Sequence, residues 1–233
     1  MTTNNPAVDV GPRPSRFGTD RWPWLLLVGG VLGFAGSVLH PQGDPTLTGD
    51  AALASEVGDP LWVPSHVLVL VFVALLVPGL LGLARSGVPT GAARTACLVA
   101  FGAAIVWVVE SVPHLLAFAD HHALLTGQPA PLVTAHLVGT VAVYPLAGFS
   151  IAALALLGGR RLAHPLVNVV GALGAVAFGI APVAYDVLGI EAAGDLFAGS
   201  LLLTAWVATV GATALVRRRA TRQPVAGRGT AGA

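Results

Sequence analysis

Leu61–Ala84 reads LWVPSHVLVLVFVALLVPGLLGLA and runs for 24 residues without an Asp, Glu, Lys or Arg. A helix needs about 20 such residues to cross the roughly 30 Å hydrocarbon core of a bilayer. The stretch lacks the alternation of apolar and polar residues that marks a half-buried strand. Lipid offers no partners for exposed backbone groups, so a helix satisfies them best. This segment is therefore predicted to be a transmembrane helix.

Five further segments on either side of this stretch have the same character. The six predicted spans are about Trp22–Leu39, Leu61–Ala84, Ala93–Phe118, Pro131–Leu157, Pro165–Leu188 and Leu196–Val216. Hydrophobic residues make up 55% of the 233-residue chain, charged residues only 10%, and the mean hydropathy is +0.80. So few charges cannot cover a water-facing surface of this size, which excludes a soluble enzyme. The fold class predicted is an all-α polytopic membrane protein, a bundle of six transmembrane helices.

The domain organisation follows from these spans. Residues 22–217 form one transmembrane domain in this prediction, flanked by polar tails at 1–21 and 218–233 that are rich in Pro, Gly and Thr. Tails of that composition are predicted to be disordered. The first span includes Ala35-Gly36-Ser37, which loosely imitates a signal-peptidase site. We expect it to be retained, because its apolar stretch is longer than a usual signal core.

Arginine placement predicts the orientation. All 12 basic residues are arginines, and with six spans every one falls on the same side of the membrane. They are Arg13, Arg16, Arg21, Arg85, Arg94, Arg160, Arg161, Arg217, Arg218, Arg219, Arg222 and Arg228. By the positive-inside rule that side is the cytoplasm, so both termini are predicted to be cytoplasmic in a plasma (inner) membrane protein. A net charge of +1 leaves no basic field for nucleic acid. The predicted partner is the lipid bilayer, with other membrane subunits left open.

Three tryptophans lie at the ends of predicted spans. Trp22 and Trp24 begin the first span, and Trp62 begins the second. Tryptophan is enriched where hydrocarbon meets the headgroups, because its ring is apolar and its N–H is polar. All three are predicted to be interfacial anchors.

Short matching motifs suggest an internal repeat. Ser37-Val38-Leu39-His40 resembles Ser111-Val112-Pro113-His114, and Val63-Pro64-Ser65-His66 resembles Val133-Thr134-Ala135-His136. Spans one–two and three–four are then two copies of one helical hairpin, each with a histidine near the outer end of each helix. A chance match in a biased alphabet is the alternative.

Titratable residues inside predicted spans are candidates for a functional site, because burying them in lipid costs several kcal/mol. His66, His114 and His136 lie at similar depths below the boundary opposite the arginines, His40 closes the first span, and Asp186 closes the fifth. Imidazole nitrogen is a common ligand of zinc, copper and iron. The sequence predicts a metal ion held by His66, His114 and His136, with His40 or Asp186 as a fourth ligand or supporting partner.

Glu110 lies one helical turn deeper than His114 on the same helix face. It is too deep to reach the headgroups easily, so a proton-transferring, catalytic role is predicted for it. Its structural alternative is a protonated carboxyl group that hydrogen-bonds a neighbouring helix.

Several alternatives to a metal centre stay open. A single heme b with two of these histidines as axial ligands is one. A carrier for protons, metal ions or a small solute, and an accessory subunit with merely interfacial histidines, are the others. His121 and His122 follow Asp120 in what is predicted to be a solvated outer loop. The sequence contains no P-loop, HExxH or GxSxG motif, so whether the protein is an enzyme, and on which substrate, is left open.

Overall fold

The computed structural model describes residues 20–44 and 46–222, which form helices and connecting turns without any strand. The helices are α1 (Trp22–Leu39), α2 (Gly49–Val57), α3 (Trp62–Arg85), α4 (Ala92–Leu116), α5 (His121–Leu125), α6 (Pro131–Gly158), α7 (Pro165–Pro182) and α8 (Gly199–Arg222). Six long helices, all but α2 and α5, form the main part of the six segments long and apolar enough to cross a membrane, and α5 lies at the end of the segment that begins with α4. The prediction of an all-α, six-span bundle is confirmed. Residues 1–19 and 223–233, which hold most of the predicted tails, lie outside the described residues.

The six long helices form a closed ring. Helix α1 packs against α3, and the contacts continue through α4, α6, α7 and α8, which returns to α1. The core of the ring is apolar and includes the fully buried side chains of Phe72, Leu76, Ile151, Leu154 and Leu203. Each long helix therefore has two neighbours on the ring.

Glycine lets the first and last helices of the ring approach closely. A Cβ atom added to Gly30 of α1 would lie 2.4 Å from the backbone nitrogen of Ala208 in α8. Small residues at such contacts drive helix association in membranes through van der Waals packing. Helix α1 is thus held by backbone proximity to α8.

Large apolar side chains cover the outside of the ring. Val109, Val138, Leu166 and Leu173 are among many exposed aliphatic residues on the long helices. A monomeric soluble protein rarely exposes contiguous apolar surface on this scale, whereas a bilayer solvates it. The outer surface therefore fits a lipid environment.

The two ends of the ring differ in chemistry. At one end, Arg217 donates hydrogen bonds to the carbonyl oxygens of Arg160 and Arg161, Arg161 donates to Thr90, and Arg218 donates to the carbonyl of Asp20. The other end carries the four histidines of interest and the acidic connections. We refer to these as the arginine end and the histidine end.

A second, smaller core covers the histidine end. Ala54 and Val57 of α2 and Leu124 of α5 pack together with Trp62 and Val133 at the starts of α3 and α6. This packing makes His121 and His122 part of a short helix, so the prediction of a loop there is wrong. Helix α2 has nine residues and α5 has five, and neither would persist alone. Burial of Val57 in α2 and of Leu124 in α5 against the long helices stabilises them.

Two tryptophans depart from the predicted interfacial role. Trp22 and Trp62 are only 2% and 4% exposed, whereas Trp24 is 51% exposed. The guanidinium of Arg218 lies 5.5 Å from the ring centre of Trp22, and Trp62 stacks on His66. Only Trp24 is available to the headgroup region.

The fifth and sixth spans end differently from their sequence predictions. Helix α7 ends at Pro182 and continues as one π-helical turn over Val183–Val187, which carries Asp186. A 3-10 segment, Glu191–Ala198, leads into α8, which extends through the arginines to Arg222. Positive charges at a helix C-terminus interact favourably with the helix dipole, which accounts for the extension.

Candidate metal centre

Four helices bring their histidines to the same end of the ring. His40 follows directly after the last residue of α1, His66 lies in the second turn of α3, and His136 lies in the second turn of α6. His114 lies in the last turn of α4. Successive helices run in opposite directions, so the end of one helix lies beside the start of the next. The four histidines, which the sequence places at similar depths in the membrane, therefore lie close together.

His66 and His114 contact each other directly. Their Nε2 atoms are 3.0 Å apart, and their ring centres are 4.4 Å apart. The Nδ1 atom of His66 is 2.7 Å from the carbonyl oxygen of Trp62, which can only accept a hydrogen bond, so Nδ1 carries the proton. The Nε2 atom of a neutral His66 then carries a lone pair, which accepts a hydrogen bond from His114 Nε2–H.

The hydrogen-bond partners also assign the tautomer of His114. Its Nε2 atom donates to His66, so its Nδ1 atom accepts the hydroxyl proton of Tyr144 across 3.2 Å. Tyr144 is a buried residue of α6 and also lies near the carboxylate of Glu110. A hydrogen-bonded chain therefore runs from Tyr144 through His114 to His66.

The ring of Trp62 positions His66. The two rings stack with centres 3.9 Å apart, and the Trp62 Nε1–H donates to the carbonyl oxygen of Leu115 at 3.2 Å. This indole ties the start of α3 to the end of α4, the two helices that carry His66 and His114. The sequence predicts an interfacial role for Trp62, whereas its spacing of four residues before His66 is the signal for this contact.

Glu110 and His136 form a second pair in the same region. The Nδ1–H of His136 donates to Glu110 Oε1 at 2.5 Å, and the two side chains are only 12% and 3% exposed. Glu110 Oε2 is buried and has no hydrogen-bond partner among the described residues. The rings of His136 and His114 stack with centres 3.7 Å apart, which connects this pair to the first one.

His40 completes the cluster from the side of the α1–α2 connection. Its ring centre lies 4.7 Å from that of His66, and its Nδ1–H donates to the Pro41 carbonyl oxygen at 2.9 Å. The Glu56 carboxylate of α2 lies 3.8 Å from the same nitrogen. Glu56 was missed by the sequence analysis, because nothing in the primary structure shows that α2 folds back over the bundle.

Burial shifts the pKa values of His40 and Glu56. Loss of solvent lowers the pKa of His40, and this effect exceeds the opposing one of its hydrogen bond to Pro41. Burial first, and the nearby Asp186 carboxylate second, raise the pKa of Glu56 to about 8. His40 is therefore held in its neutral form, in which one ring nitrogen has a free lone pair.

Two groups of side chains lie close enough together to be candidate ligands of a metal ion. The candidate ligand atoms of His40, His66 and His114 all lie within 4.8 Å of one another, and so do those of Glu110, His114 and His136. The four predicted histidines and Glu110 thus lie together, as two overlapping groups that share His114. Asp186 belongs to neither group; it lies close enough to Glu56 to affect its charge.

Asp120 fixes the helix that carries His136. Its Oδ2 atom accepts hydrogen bonds from the backbone N–H groups of Leu132 and Val133, at 2.6 and 3.0 Å. A carboxylate at this position satisfies donors that a helix start leaves without partners and complements the helix dipole. Sequence reasoning missed this role, because the cap comes from eleven residues upstream of Pro131 and not from the residue before the helix.

No protein-family model, no curated protein and no solved structure matches this chain.

Proposed function

We propose that the histidine end binds one transition-metal ion, zinc, copper or iron, through His40, His66 and His114. The observation that carries this proposal is the 3.0 Å separation of the Nε2 atoms of His66 and His114. Two nitrogens that bind one tetrahedral ion at about 2.0–2.1 Å lie about 3.3 Å apart, so a shift of a few tenths of an ångström admits the ion.

The surroundings of the three imidazoles support the same conclusion. The Nδ1–H groups of His40 and His66 donate to backbone carbonyl oxygens, which leaves Nε2 as the nitrogen available to an ion. Metal-binding histidines almost always donate their second ring N–H in this way, because it fixes the ring and makes the ligand more basic. For His114 to bind through Nε2, its proton moves to Nδ1, where the oxygen of Tyr144 accepts the hydrogen bond.

Glu110 and His136 supply the acid–base group of the proposed site. They are hydrogen-bonded to each other, are buried, and are stacked against a proposed ligand, so a proton can pass between them beside the ion. A bound transition metal would polarise a substrate or bound water, or exchange electrons. We infer that the protein performs redox or hydrolytic chemistry at this end, which the positive-inside rule assigns to the outer face of the membrane.

The packing of the rings favours an ion over a heme. The histidine rings contact one another directly, and Trp62 covers one face of His66. A porphyrin between two of them would have to separate a hydrogen-bonded pair and a stacked pair. A single ion takes the place of the proton between His66 and His114 and leaves the stacked rings of His114 and His136 together.

The middle of the bundle argues against a carrier. A cavity of about 10 Å³ inside the bundle is lined by Leu26, Leu80, Leu154, Val210 and other largely apolar side chains. A pathway for ions or protons needs polar groups or water through this layer. We therefore favour a protein whose chemistry is confined to the histidine end over a carrier.

Metal analysis of the purified protein tests the proposal. We expect near-stoichiometric zinc, copper or iron in detergent-purified protein without a histidine tag, and a loss of about tenfold or more in His66→Ala. His122→Ala is the matched control, because His122 is exposed at the same end but lies outside both groups. It should keep the metal.

A variant that fails to fold is recognised by its elution in size-exclusion chromatography. In that case Tyr144→Phe, which removes one hydrogen-bonding oxygen and keeps the ring, replaces it, and we expect weaker metal retention than in wild type. An absence of metal above background in protein never exposed to chelator would contradict the proposal, and so would equal metal in wild type and His66→Ala. An absorption spectrum typical of heme in the purified protein would favour the heme alternative.

A further inference from the structure

A cavity of about 310 Å³ lies at the arginine end, opposite the histidines. It lies between the α3–α4 connection and the α6–α7 connection, and its lining includes Pro89, Thr90, Ala93, Leu157, Arg160 and Arg161. Its volume is at the lower end of the range of small-ligand sites. The lining combines two guanidinium groups and a hydroxyl with apolar side chains.

Four hydrogen bonds hold the turn that forms the charged wall of this cavity in place. Arg161 Nη1 donates to Thr90 Oγ1 at 2.6 Å and so links the two connections. Arg217 of α8 donates to the carbonyl oxygens of Arg161 and Arg160, at 2.6 and 2.9 Å. Asn168 Nδ2 donates to the carbonyl oxygen of Gly159 at 2.7 Å. The turn that carries Arg160 and Arg161 is therefore fixed before any ligand arrives.

The positive charge of this wall is not neutralised within the described part of the chain. The ion pairs found there are His40–Glu56, His136–Glu110 and Arg218–Asp20, and none of them includes Arg160, Arg161 or Arg217. Arg160 makes no side-chain hydrogen bond to a described residue, so its donors are available to a ligand. Guanidinium groups held together without a carboxylate attract an anion, most strongly one with several oxygens.

The apolar side of the cavity opens towards lipid. Leu157, in the last turn of α6, lines the cavity and is itself largely exposed, and the neighbouring Leu156 is exposed as well. A ligand in this position therefore meets arginine on one side and acyl chains on the other. Free phosphate would use only the first of these surfaces.

We propose that this cavity binds the phosphate group of an anionic phospholipid. Arg160 and Arg161 contact the phosphate oxygens, and the glycerol and the first methylene groups lie along Leu157 and Pro89. Basic pockets between helices at one face of a membrane protein suit such headgroups, because the surface potential of anionic lipid adds to the direct contacts. This site is independent of the proposed metal centre.

Native mass spectrometry of protein released from nanodiscs tests this proposal. The nanodiscs contain equal amounts of phosphatidylglycerol and phosphatidylcholine, which share acyl chains and differ in net charge. We expect wild type to retain phosphatidylglycerol preferentially, and Arg160→Gln to lower that retention about tenfold, since a charge-assisted hydrogen bond is lost. Arg160→Gln removes no described side-chain contact, so the fold should be unaffected.

Arg94→Gln is the matched control, because it removes the same charge from the same end outside the cavity. It should retain phosphatidylglycerol like wild type. Equal retention in Arg160→Gln and wild type, or equal loss in both variants, would overturn the proposal. Inorganic phosphate that binds lipid-free protein through Arg160, without any preference for phosphatidylglycerol, would overturn the lipid assignment.

Discussion

Glu110 is a buried acidic residue inside the bundle, where the free energy cost of a charge is high. A carboxylate in the apolar part of a membrane protein costs several kcal/mol unless it is paired, and only one of its two oxygens has a hydrogen-bond partner among the described residues. Its partner, His136, comes from another helix. The unpartnered Oε2 atom is therefore the costliest polar atom of the pair, and it is the oxygen available for the proton transfer proposed above.

The Glu110–His136 pair should be strongly coupled in a double-mutant cycle. Removing either partner leaves a buried polar group alone, so Glu110→Ala and His136→Ala should each lower the free energy of unfolding, while the double variant costs less than their sum. We expect a coupling free energy of about 1–3 kcal/mol, measured by reversible unfolding in detergent micelles. Glu110→Ala combined with His122→Ala should be additive, because His122 lies outside the cluster. Additivity in the first cycle would contradict the pairing.

The sequence placed Glu110 near a histidine correctly but did not identify its partner. The i, i+4 spacing puts His114 on the same face of α4 and places both in one group of potential ligands. The direct hydrogen bond is instead to His136, 26 residues away. Contacts within a helix follow from its 3.6-residue period, whereas contacts between helices depend on how each is rotated about its axis, and a pattern of apolar residues on nearly every face leaves that rotation undetermined.

At the scale of elements, the starts of α3 and α6 are held by side chains from elsewhere in the chain. Trp62 ties α3 to the end of α4, and Asp120 caps α6. Both contacts involve the small core formed by α2 and α5, two helices too short to register in a hydropathy profile. Their existence depends on burial against the long helices, which is why the sequence indicated connections there.

Removal of the Asp120 cap should loosen the first turn of α6. Asp120→Ala should lower the free energy of unfolding by about 0.5–2 kcal/mol, the usual effect of losing a helix cap. Hydrogen–deuterium exchange should increase over residues 132–135, where the N–H groups of Leu132 and Val133 lose their acceptor. Asp120→Asn keeps an acceptor oxygen and should restore most of the protection. Unchanged exchange in Asp120→Ala would show that the cap does not hold the helix.

Asp50→Ala is the control for a general effect of lost negative charge. Asp50 is exposed in the first turn of α2, and no described contact depends on its side chain. It should leave the exchange of α6 unchanged.

At the scale of the whole molecule, the separation of arginines from histidines defines two chemically different ends. Six apolar segments and the position of every arginine were sufficient to predict this polarity. The bundle confirms that the arginines of its described part gather at one end. The direction in which the bundle crosses the membrane stays a prediction of the positive-inside rule.

Cysteine labelling in intact cells measures that direction. Gln128→Cys places a thiol at the exposed histidine end, and Ala220→Cys places one at the exposed arginine end. We expect a membrane-impermeant maleimide to modify Gln128→Cys in intact cells and Ala220→Cys only after permeabilisation. Wild type provides the background, because its single cysteine, Cys97, is fully buried. The reverse pattern would place the histidine end in the cytoplasm.

The closed ring imposes an order on biogenesis. Helix α1 leaves the ribosome first, yet one of its two neighbours, α8, is the last long helix to be made. Until then the glycine-lined side of α1 faces lipid or an assembly factor without its partner. The three proposed ligands, His40, His66 and His114, and the acid–base pair of Glu110 and His136 have by contrast all been synthesised once residue 136 is complete. The ligands are thus available before the ring can shut, so a nascent chain that captured its ion early would carry it through the final closure.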